Sequence, residues 1–187
     1  MTDSKAPHER RKRLPEPLDS ARLEEIALAY VARFSTTRIK LERYLRRKLR
    51  ERGWEGEGEP RVEAVAERFV ELGYIDDEAY ARAKSGSLLR RGYGDRRVRE
   101  ALGQAGIGEA LRDEVRASEG EARQAALALA RRRRFGPFGS EKPDKPLREK
   151  QIAAMLRAGH PLDSARQIVD AANPAEAEQW AAEAADE

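Results

Sequence analysis

Arginine and lysine side chains carry the clearest chemical potential in this sequence, because they occur in groups. The densest group spans residues 38–52, where eight bases stand against Glu42 and Glu51 for a net charge of +6. Two further groups are Arg90, Arg91, Arg96, Arg97 and Arg99 around Gly92-Tyr93-Gly94, and Arg131, Arg132, Arg133 and Arg134. Clustered guanidinium groups bind phosphates or carboxylates without reading base sequence. The grouping therefore predicts contact with an anionic partner.

A helix over residues 38–52 would separate this charge from its apolar side chains. At 100° per residue, Leu41, Tyr44, Leu45 and Leu49 share one side, and the opposite side carries Lys40, Arg43, Arg46, Arg47 and Arg50. A solvated face balanced by glutamates is the alternative, but few glutamates are local. We predict that Arg43, Arg46, Arg47 and Arg50 supply part of the attraction. For residues 131–134, neutralising the negative end of a helix explains the charge equally well.

The sequence offers little for other chemistries. It has no cysteine and only two histidines, His8 and His160, which excludes disulfides, a cysteine nucleophile and a histidine metal cluster. Gly92-Tyr93-Gly94 lacks a preceding strand and a third glycine, so it predicts a helix–helix turn and not a dinucleotide loop. His160 follows a glycine and is typical of a turn or cap. We predict no enzyme activity, no cofactor and no metal.

The composition indicates that these basic groups belong to a chain with limited hydrophobic content. The 187 residues, of 21.1 kDa, are 38% charged, 40% hydrophobic and only 6% aromatic, which argues against one large core and also against full disorder. The longest apolar run, residues 26–32, is too short to cross a membrane. A cytoplasmic protein is expected. The net charge of +3 conceals an acidic C-terminal stretch, because residues 171–187 carry −5.

Alanine, leucine, arginine and glutamate dominate, and no stretch alternates convincingly, so an all-α fold is predicted. Glycine recurs at a constant interval of 53 residues: Gly53, Gly106 and Gly159. Apolar residues stand four before each (Leu49, Leu102, Met155) and nine after each (Val62, Val115, Ile168). Glycine is the usual residue after a helix end. The period predicts three tandem three-helix modules in an elongated or curved array.

We place the modules at residues 20–73, 74–118 and 119–173. A flexible basic arm is predicted at 1–19, with Arg10-Arg11-Lys12-Arg13 among prolines, and an acidic tail at 174–187. The predicted N-caps are Asp19 or Ser20, a residue of Ser35-Thr36-Thr37, Asp76 or Asp77, Asp95 and Asp163. The seventh helix is expected to begin near Ala122.

The pattern resembles the RecX family of recombinase regulators. The most specific element is Gly73-Tyr74-Ile75-Asp76-Asp77, followed by Arg90-Arg91-Gly92-Tyr93-Gly94 and by Leu102 to Gly106-Ile107. Module 1 is similar through Ala29 to Ser35, Leu45, Leu49 and Gly53, and module 3 through Arg134-Phe135-Gly136 and Met155 to Gly159. The resemblance covers residues 20–173 and leaves out the basic arm and the acidic tail.

The resemblance implies a non-enzymatic modulator of RecA that lies in the groove of the RecA–DNA filament. Such a protein would oppose filament growth, ATP hydrolysis and strand exchange, and so influence homologous recombination, DNA repair and the SOS response. Single- or double-stranded DNA is a further implied partner, and a monomer is expected. The alternative is a helical protein that coats nucleic acid without acting on a recombinase. The family supplies no catalytic residues.

Overall fold

The computed structural model describes residues 16–184. Residues 1–15, which hold most of the predicted basic arm, and residues 185–187 lie outside the described part. Module 1 consists of α1 (Ser20–Val31), α2 (Arg38–Arg52) and α3 (Val62–Glu71). Module 2 consists of α4 (Asp77–Arg90), α5 (Asp95–Gln104) and α6 (Glu109–Glu114). Module 3 consists of α7 (Glu119–Arg133), a 3₁₀ turn (Gly136–Phe138), α8 (Lys145–Arg157) and α9 (Leu162–Asp170), and α10 (Pro174–Glu183) follows.

Side-chain caps fix the start of several helices. Asp19, Thr37 and Asp76 accept backbone N–H groups at the starts of α1, α2 and α4, as predicted. The prediction for Asp95 is wrong, because the N-cap of α5 is Gly94 and Asp95 is the first helical residue. The prediction for Asp163 is also wrong, since Pro161 precedes α9.

Helix α7 begins three residues earlier than predicted. Ser118 accepts the backbone N–H of Glu121, and the Glu121 carboxylate accepts the backbone N–H of Ser118, which makes a capping box. The Ser-x-x-Glu spacing was visible in the sequence. The capping box places Glu119 and Glu121 in the first turn of the helix, before the apolar pattern that begins at Ala122.

Each module buries a core of its own. Leu23, Leu41, Leu45 and Ala66 are central in module 1, Ala81, Val98 and Leu102 in module 2, and Ala126, Met155, Ala165 and Ile168 in module 3. In the described part the elements are helical, apart from one isolated bridge between Leu18 and Trp54. The predicted all-α fold of three-helix modules is confirmed.

The sequence predicts that residues 16–19 belong to the flexible arm, and this prediction is wrong. Leu18 is completely buried in the core of module 1, and its backbone pairs with Gly53 and Glu55 at 3.0 and 2.9 Å. Arg52 donates to the Glu16 carbonyl at 2.7 Å. Leu18 is a single leucine among prolines and has no apolar periodicity around it, so no local sequence pattern predicts that it is buried.

Within the predicted acidic tail, residues 174–183 form α10, which packs along α7. Ala177 and Ala181 are buried against module 3, and the Trp180 ring lies under the Arg123 guanidinium at 5.0 Å. Asn173 caps this helix and Pro174 occupies its first turn. The small alanine side chains let α10 approach α7 closely, so this segment completes the core of module 3.

The contact between modules 1 and 2, which we call the first joint, brings the start of α2 against the end of α5. Thr37 Oγ1 donates to the Ala105 carbonyl at 2.5 Å, and Arg43 Nη1 donates to the Gln104 carbonyl at 2.6 Å. The Ile39 side chain covers Gly106 so closely that an added Cβ would overlap it. The positive end of α2 thus meets the negative end of α5.

The contact between modules 2 and 3, the second joint, repeats this arrangement. Gly94 N donates to the Ala158 carbonyl at 2.9 Å, and Arg96 donates to the Leu156 carbonyl at 2.7 Å. Gly159 lies against Arg97, where an added Cβ would be 2.6 Å from the backbone nitrogen. The three second helices, α2, α5 and α8, therefore follow one another end to end.

The 53-residue period has its physical basis at these joints. Arg43 and Arg96 are 53 residues apart and make equivalent contacts, and the next position in the period is Glu149. Gly106 and Gly159 are each packed by the preceding module. At Gly53, by contrast, nothing among residues 16–184 lies within 4 Å of where its Cβ would be.

His160 closes the second joint from the side of module 3. The side chain is buried, and Nε2 lies 3.1 Å from the Gly92 carbonyl at the end of α4. His160 therefore serves a helix end, as predicted, but that of the neighbouring module. Burial lowers the pKa of His160, and the hydrogen bond to Gly92 opposes this only in part.

The lowered pKa predicts a pH-dependent joint. The unfolded chain, with a histidine pKa near 6.5, binds a proton before the folded chain does, so stability should be constant above that pH and fall below it. The slope is at most about 1.4 kcal/mol per pH unit. His160→Gln, which retains an amide donor that does not titrate, should flatten the change. Urea unfolding of both proteins at pH 7.5 and 5.5 measures the free energy of unfolding at each pH. Equal losses of that free energy in the two proteins would refute this role.

Candidate anion-binding surface

The bases of α2 are more extensively paired than the sequence suggested. Arg38 and Arg46 flank the buried carboxylate of Glu42, and Arg46 also binds Glu63. Lys48 and Arg47 share Glu51 at 2.6 and 3.6 Å. The hydrogen bond from Lys48 lowers the pKa of Glu51, and that from Arg46 lowers the pKa of Glu63. Much of the charge on this face is therefore neutralised within the module.

Two of the remaining α2 candidates are drawn towards module 2. Arg43 donates to Gln104 at the first joint, and Lys40 donates to the Tyr80 hydroxyl at 3.3 Å. Of the five predicted outward bases, Arg50 alone makes neither an ion pair nor a joint contact within residues 16–184. The predicted continuous basic face is thus largely a self-paired surface that extends into a joint.

The group around Gly92 divides in the same way. Arg96 and Arg97 both bind Glu100, at 3.0 and 3.1 Å, and Arg99 binds Asp113. Arg96 also makes the second-joint contact. Arg90 and Arg91, at the end of α4, differ from these three, because no carboxylate lies within 4 Å of either in the part of the chain that the structure describes.

A comparable set lies at the end of α7. Arg131 binds Glu178 of α10 at 2.5 Å, whereas Arg132, Arg133 and Arg134 have no ion pair among the described residues. All three are exposed. Arg134 ends the helix in the left-handed conformation, with φ of 55°. The Arg133 guanidinium lies 5.6 Å from the Phe135 ring centroid.

Gly92 brings the two helix ends together. An added Cβ at Gly92 would lie 2.8 Å from the backbone nitrogen of Leu129, so the end of α4 abuts the last part of α7. Leu129 is one turn from Arg132 and Arg133. We define the α4–α7 basic surface by its five exposed arginines, Arg90, Arg91, Arg132, Arg133 and Arg134.

The chemistry of this surface is that of phosphate or carboxylate binding. Its guanidinium groups are exposed and, within the described chain, unpaired, so a partner anion meets little competition from internal carboxylates. Tyr93 lies beneath Arg91 at 5.4 Å and adds an aromatic ring beside the charge. Each arginine also complements a negative helix end, but that role does not require five of them. Among the predicted basic groups within residues 16–184, this surface retains the most arginines without an ion pair.

Comparison with known proteins assigns the family. Residues 76–115 match the family model described as "RecX, second three-helix domain". The "Regulatory protein RecX" of Myxococcus xanthus is 32% identical over 176 residues, which cover 89% of this chain and 94% of that protein. The chain belongs to the RecX family. The predicted resemblance is thereby confirmed.

Other RecX proteins agree in sequence and in fold. A "Regulatory protein RecX" of Thermus thermophilus is 40% identical over 109 residues, covering 58% of this chain and 71% of that protein. The crystal structure of RecX from Lactobacillus salivarius superimposes with a TM-score of 0.63 at 18% identity. It covers 80% of this chain and 96% of the other. The Myxococcus and Thermus proteins are named as regulatory proteins.

The residues that carried the RecX resemblance have structural roles. Gly73, Gly92 and Gly106 adopt positive φ of 74°, 77° and 85° after α3, α4 and α5, which favours glycine. Asp76 caps α4, and Asp77 accepts the Arg38 backbone N–H at 3.0 Å. The other two predicted motif residues are Gly94, in the second joint, and Tyr74, which is exposed. In this RecX chain the motif fixes turns and joints.

No His, Asp and Glu group that could hold a metal ion occurs among residues 16–184. The same residues include no helix long and apolar enough to cross a membrane.

Proposed function

We propose that the protein regulates RecA by binding within the groove of the RecA–DNA filament. There it opposes filament extension, ATP hydrolysis and strand exchange, and so modulates homologous recombination, DNA repair and the SOS response. Membership of the RecX family, whose members are named regulatory proteins, is the observation that carries the proposal. The protein acts by binding, as a monomer, without catalysis and without a cofactor.

Two features of the molecule support this function. The modules follow one another along the chain and are joined through consecutive second helices, which suits contact with a repetitive filament. The α4–α7 basic surface presents guanidinium groups at the ends of two abutting helices, and phosphates of filament-bound DNA are anions of the matching kind. Arg50 of module 1, which has no ion pair within residues 16–184, adds a further exposed positive charge.

The direct test is the DNA-dependent ATPase of the RecA from the same organism. We expect inhibition at protein concentrations well below that of RecA, because one regulator bound in the groove affects many protomers. The measurement is the steady-state rate of ATP hydrolysis on saturating single-stranded DNA, with the regulator titrated from zero.

Two other outcomes would contradict the proposal. Inhibition that disappears when DNA is in excess would indicate simple competition for DNA and favour the nucleic-acid-coating alternative. A folded protein that leaves the ATPase unchanged at all ratios would show that RecA is not its target.

A further inference from the structure

Module 1 carries an exposed apolar groove between α1 and α3. Leu28, Leu72 and Tyr74 are 45%, 59% and 56% exposed, a large fraction for three neighbouring apolar side chains. They share the groove with Ala21 and the buried ring of Phe69, which lies 5.6 Å from the Tyr74 ring. Grouped exposed side chains of this kind mark interaction sites more often than isolated ones do.

The first helices of the other two modules each have a further helix packed against them. Helix α4, the first of module 2, packs against α7, and α7, the first of module 3, also packs against α10. Helix α1 packs against α2 and α3 of its own module, and within residues 16–184 no later helix packs along it. The first helix of module 1 therefore lacks the neighbour that its counterparts have.

The edge of the groove is acidic. Arg68 is held by Glu24 at 3.0 Å, and Arg22 is held by three carboxylates, those of Glu16, Asp19 and Glu55. The two cations at the groove are therefore already neutralised. Glu25, which lines the groove, and Glu71, next to Leu72, are exposed and have no cation partner in the described structure.

The negative charge at the edge of the groove is opposite to that of the α4–α7 basic surface, so the groove favours a different partner. Phosphates would be repelled by Glu25 and Glu71, so nucleic acid is a poor occupant. An aliphatic or aromatic side chain would bury the exposed faces of Leu28, Leu72 and Tyr74, and an adjacent base would pair with the free carboxylates.

We propose that the groove binds a protein segment in which a lysine or arginine stands beside an apolar anchor. This inference rests on the proposed function, and the segment then belongs to a RecA protomer. Module 1 contacts protein while the α4–α7 basic surface contacts DNA. One surface thus binds the protein component of the filament and the other binds its DNA.

The chemistry of the groove can be tested without RecA. The ¹⁵N-labelled protein is titrated with a short peptide of lysine and leucine and, in parallel, with the matched peptide of glutamate and leucine. We expect the lysine peptide to shift the amide resonances of Leu28, Leu72 and Tyr74, and the glutamate peptide to leave them unchanged. Equal shifts with both peptides, shifts confined to another surface, or no shift would overturn the proposal.

The RecA assignment is tested with Leu72→Asp and with Glu25→Lys. Each should raise the concentration needed for half-inhibition of the ATPase, by about tenfold for Leu72→Asp if the groove is a central contact. DNA affinity should stay within about twofold of the original for Leu72→Asp, because no base is removed, and Glu25→Lys, which adds a base, should not weaken it. Leu147→Asp on α8, where the leucine is 46% exposed, is the matched control and should have no effect.

The outcomes separate the two proposals. If the unaltered protein does not inhibit RecA, the proposed function fails, while the peptide titration still decides the groove chemistry. If the unaltered protein inhibits and Leu72→Asp inhibits equally well, the groove is not the RecA contact. A concentration-dependent dimer in sedimentation that Leu72→Asp abolishes would assign the groove to a second copy and overturn the proposal.

Discussion

Replacing Arg90, Arg91, Arg132 and Arg133 together by glutamine is expected to lower the affinity for single-stranded DNA by at least about tenfold at moderate salt. These side chains are exposed and lack internal ion pairs within the described chain, so their charge is available to phosphates. Each lost phosphate contact should reduce the slope of log affinity against log salt by about 0.7, or about 3 for all four. Fluorescence anisotropy with a labelled oligonucleotide at several salt concentrations measures both quantities.

The matched control is the triple variant Arg43→Gln, Arg47→Gln and Arg50→Gln, which removes a similar charge from α2. We expect a loss of no more than about threefold, because Arg43 is engaged in the first joint and Arg47 lies beside Glu51. Circular dichroism should show unchanged helix content for both variants. A larger loss in the α2 variant would restore the surface that the sequence favoured and reject the α4–α7 basic surface.

Gly159→Ala is expected to destabilise the protein by about 3 kcal/mol, from left-handed strain together with overpacking. Gly159 has φ of 99°, and its added Cβ would lie 2.6 Å from the backbone nitrogen of Arg97, an atom that cannot move without opening the second joint. For a chain of this size the melting temperature should fall by about 10 °C. Differential scanning calorimetry measures the change.

Gly73→Ala separates the two contributions. Gly73 also has positive φ, 74°, and ends α3 with the same two backbone hydrogen bonds with which Gly159 and the residue after it end α8, but nothing lies within 4 Å of its Cβ position. Its variant should lose only the strain contribution, about 1 kcal/mol. Gly94→Ala supplies the opposite case, because Gly94 has negative φ and its Cβ would overlap the Gly159 backbone. Equal losses at Gly73 and Gly159 would contradict the role assigned to the joint.

The joints also bear on the proposed function. A regulator that contacts successive protomers needs a fixed spacing between its modules, and the spacing here depends on a few backbone carbonyls and two arginines. Arg43 and Arg96 are both predicted from the sequence to contact a partner. The structure shows that both bind the next module, so their effect on a partner would act through the geometry of the array.

The helices and their repetition could be predicted from the sequence without the tertiary structure. Leucine and alanine at helical spacing, glycines at positive φ after helices and aspartate or threonine caps are local signals, because each acts within a few residues of itself. The 53-residue period and the all-α fold followed from these signals, whereas the family resemblance rested on ordered motifs such as Gly73-Tyr74-Ile75-Asp76-Asp77. Leu18 and α10 were missed because one carries no periodicity and the other reads chiefly as acidic charge.

Which charges are free could be learned only from the folded chain. Whether an arginine faces solvent depends on carboxylates far along the chain, such as Glu63 for Arg46 and Glu178 for Arg131, and on carbonyls of another module, such as Leu156 for Arg96. Helical spacing gives the direction of a side chain on its own helix but not what lies opposite. Ion pairing and helix-end contacts are long-range in sequence, and among the predicted basic groups they favour the ends of α4 and α7 over α2.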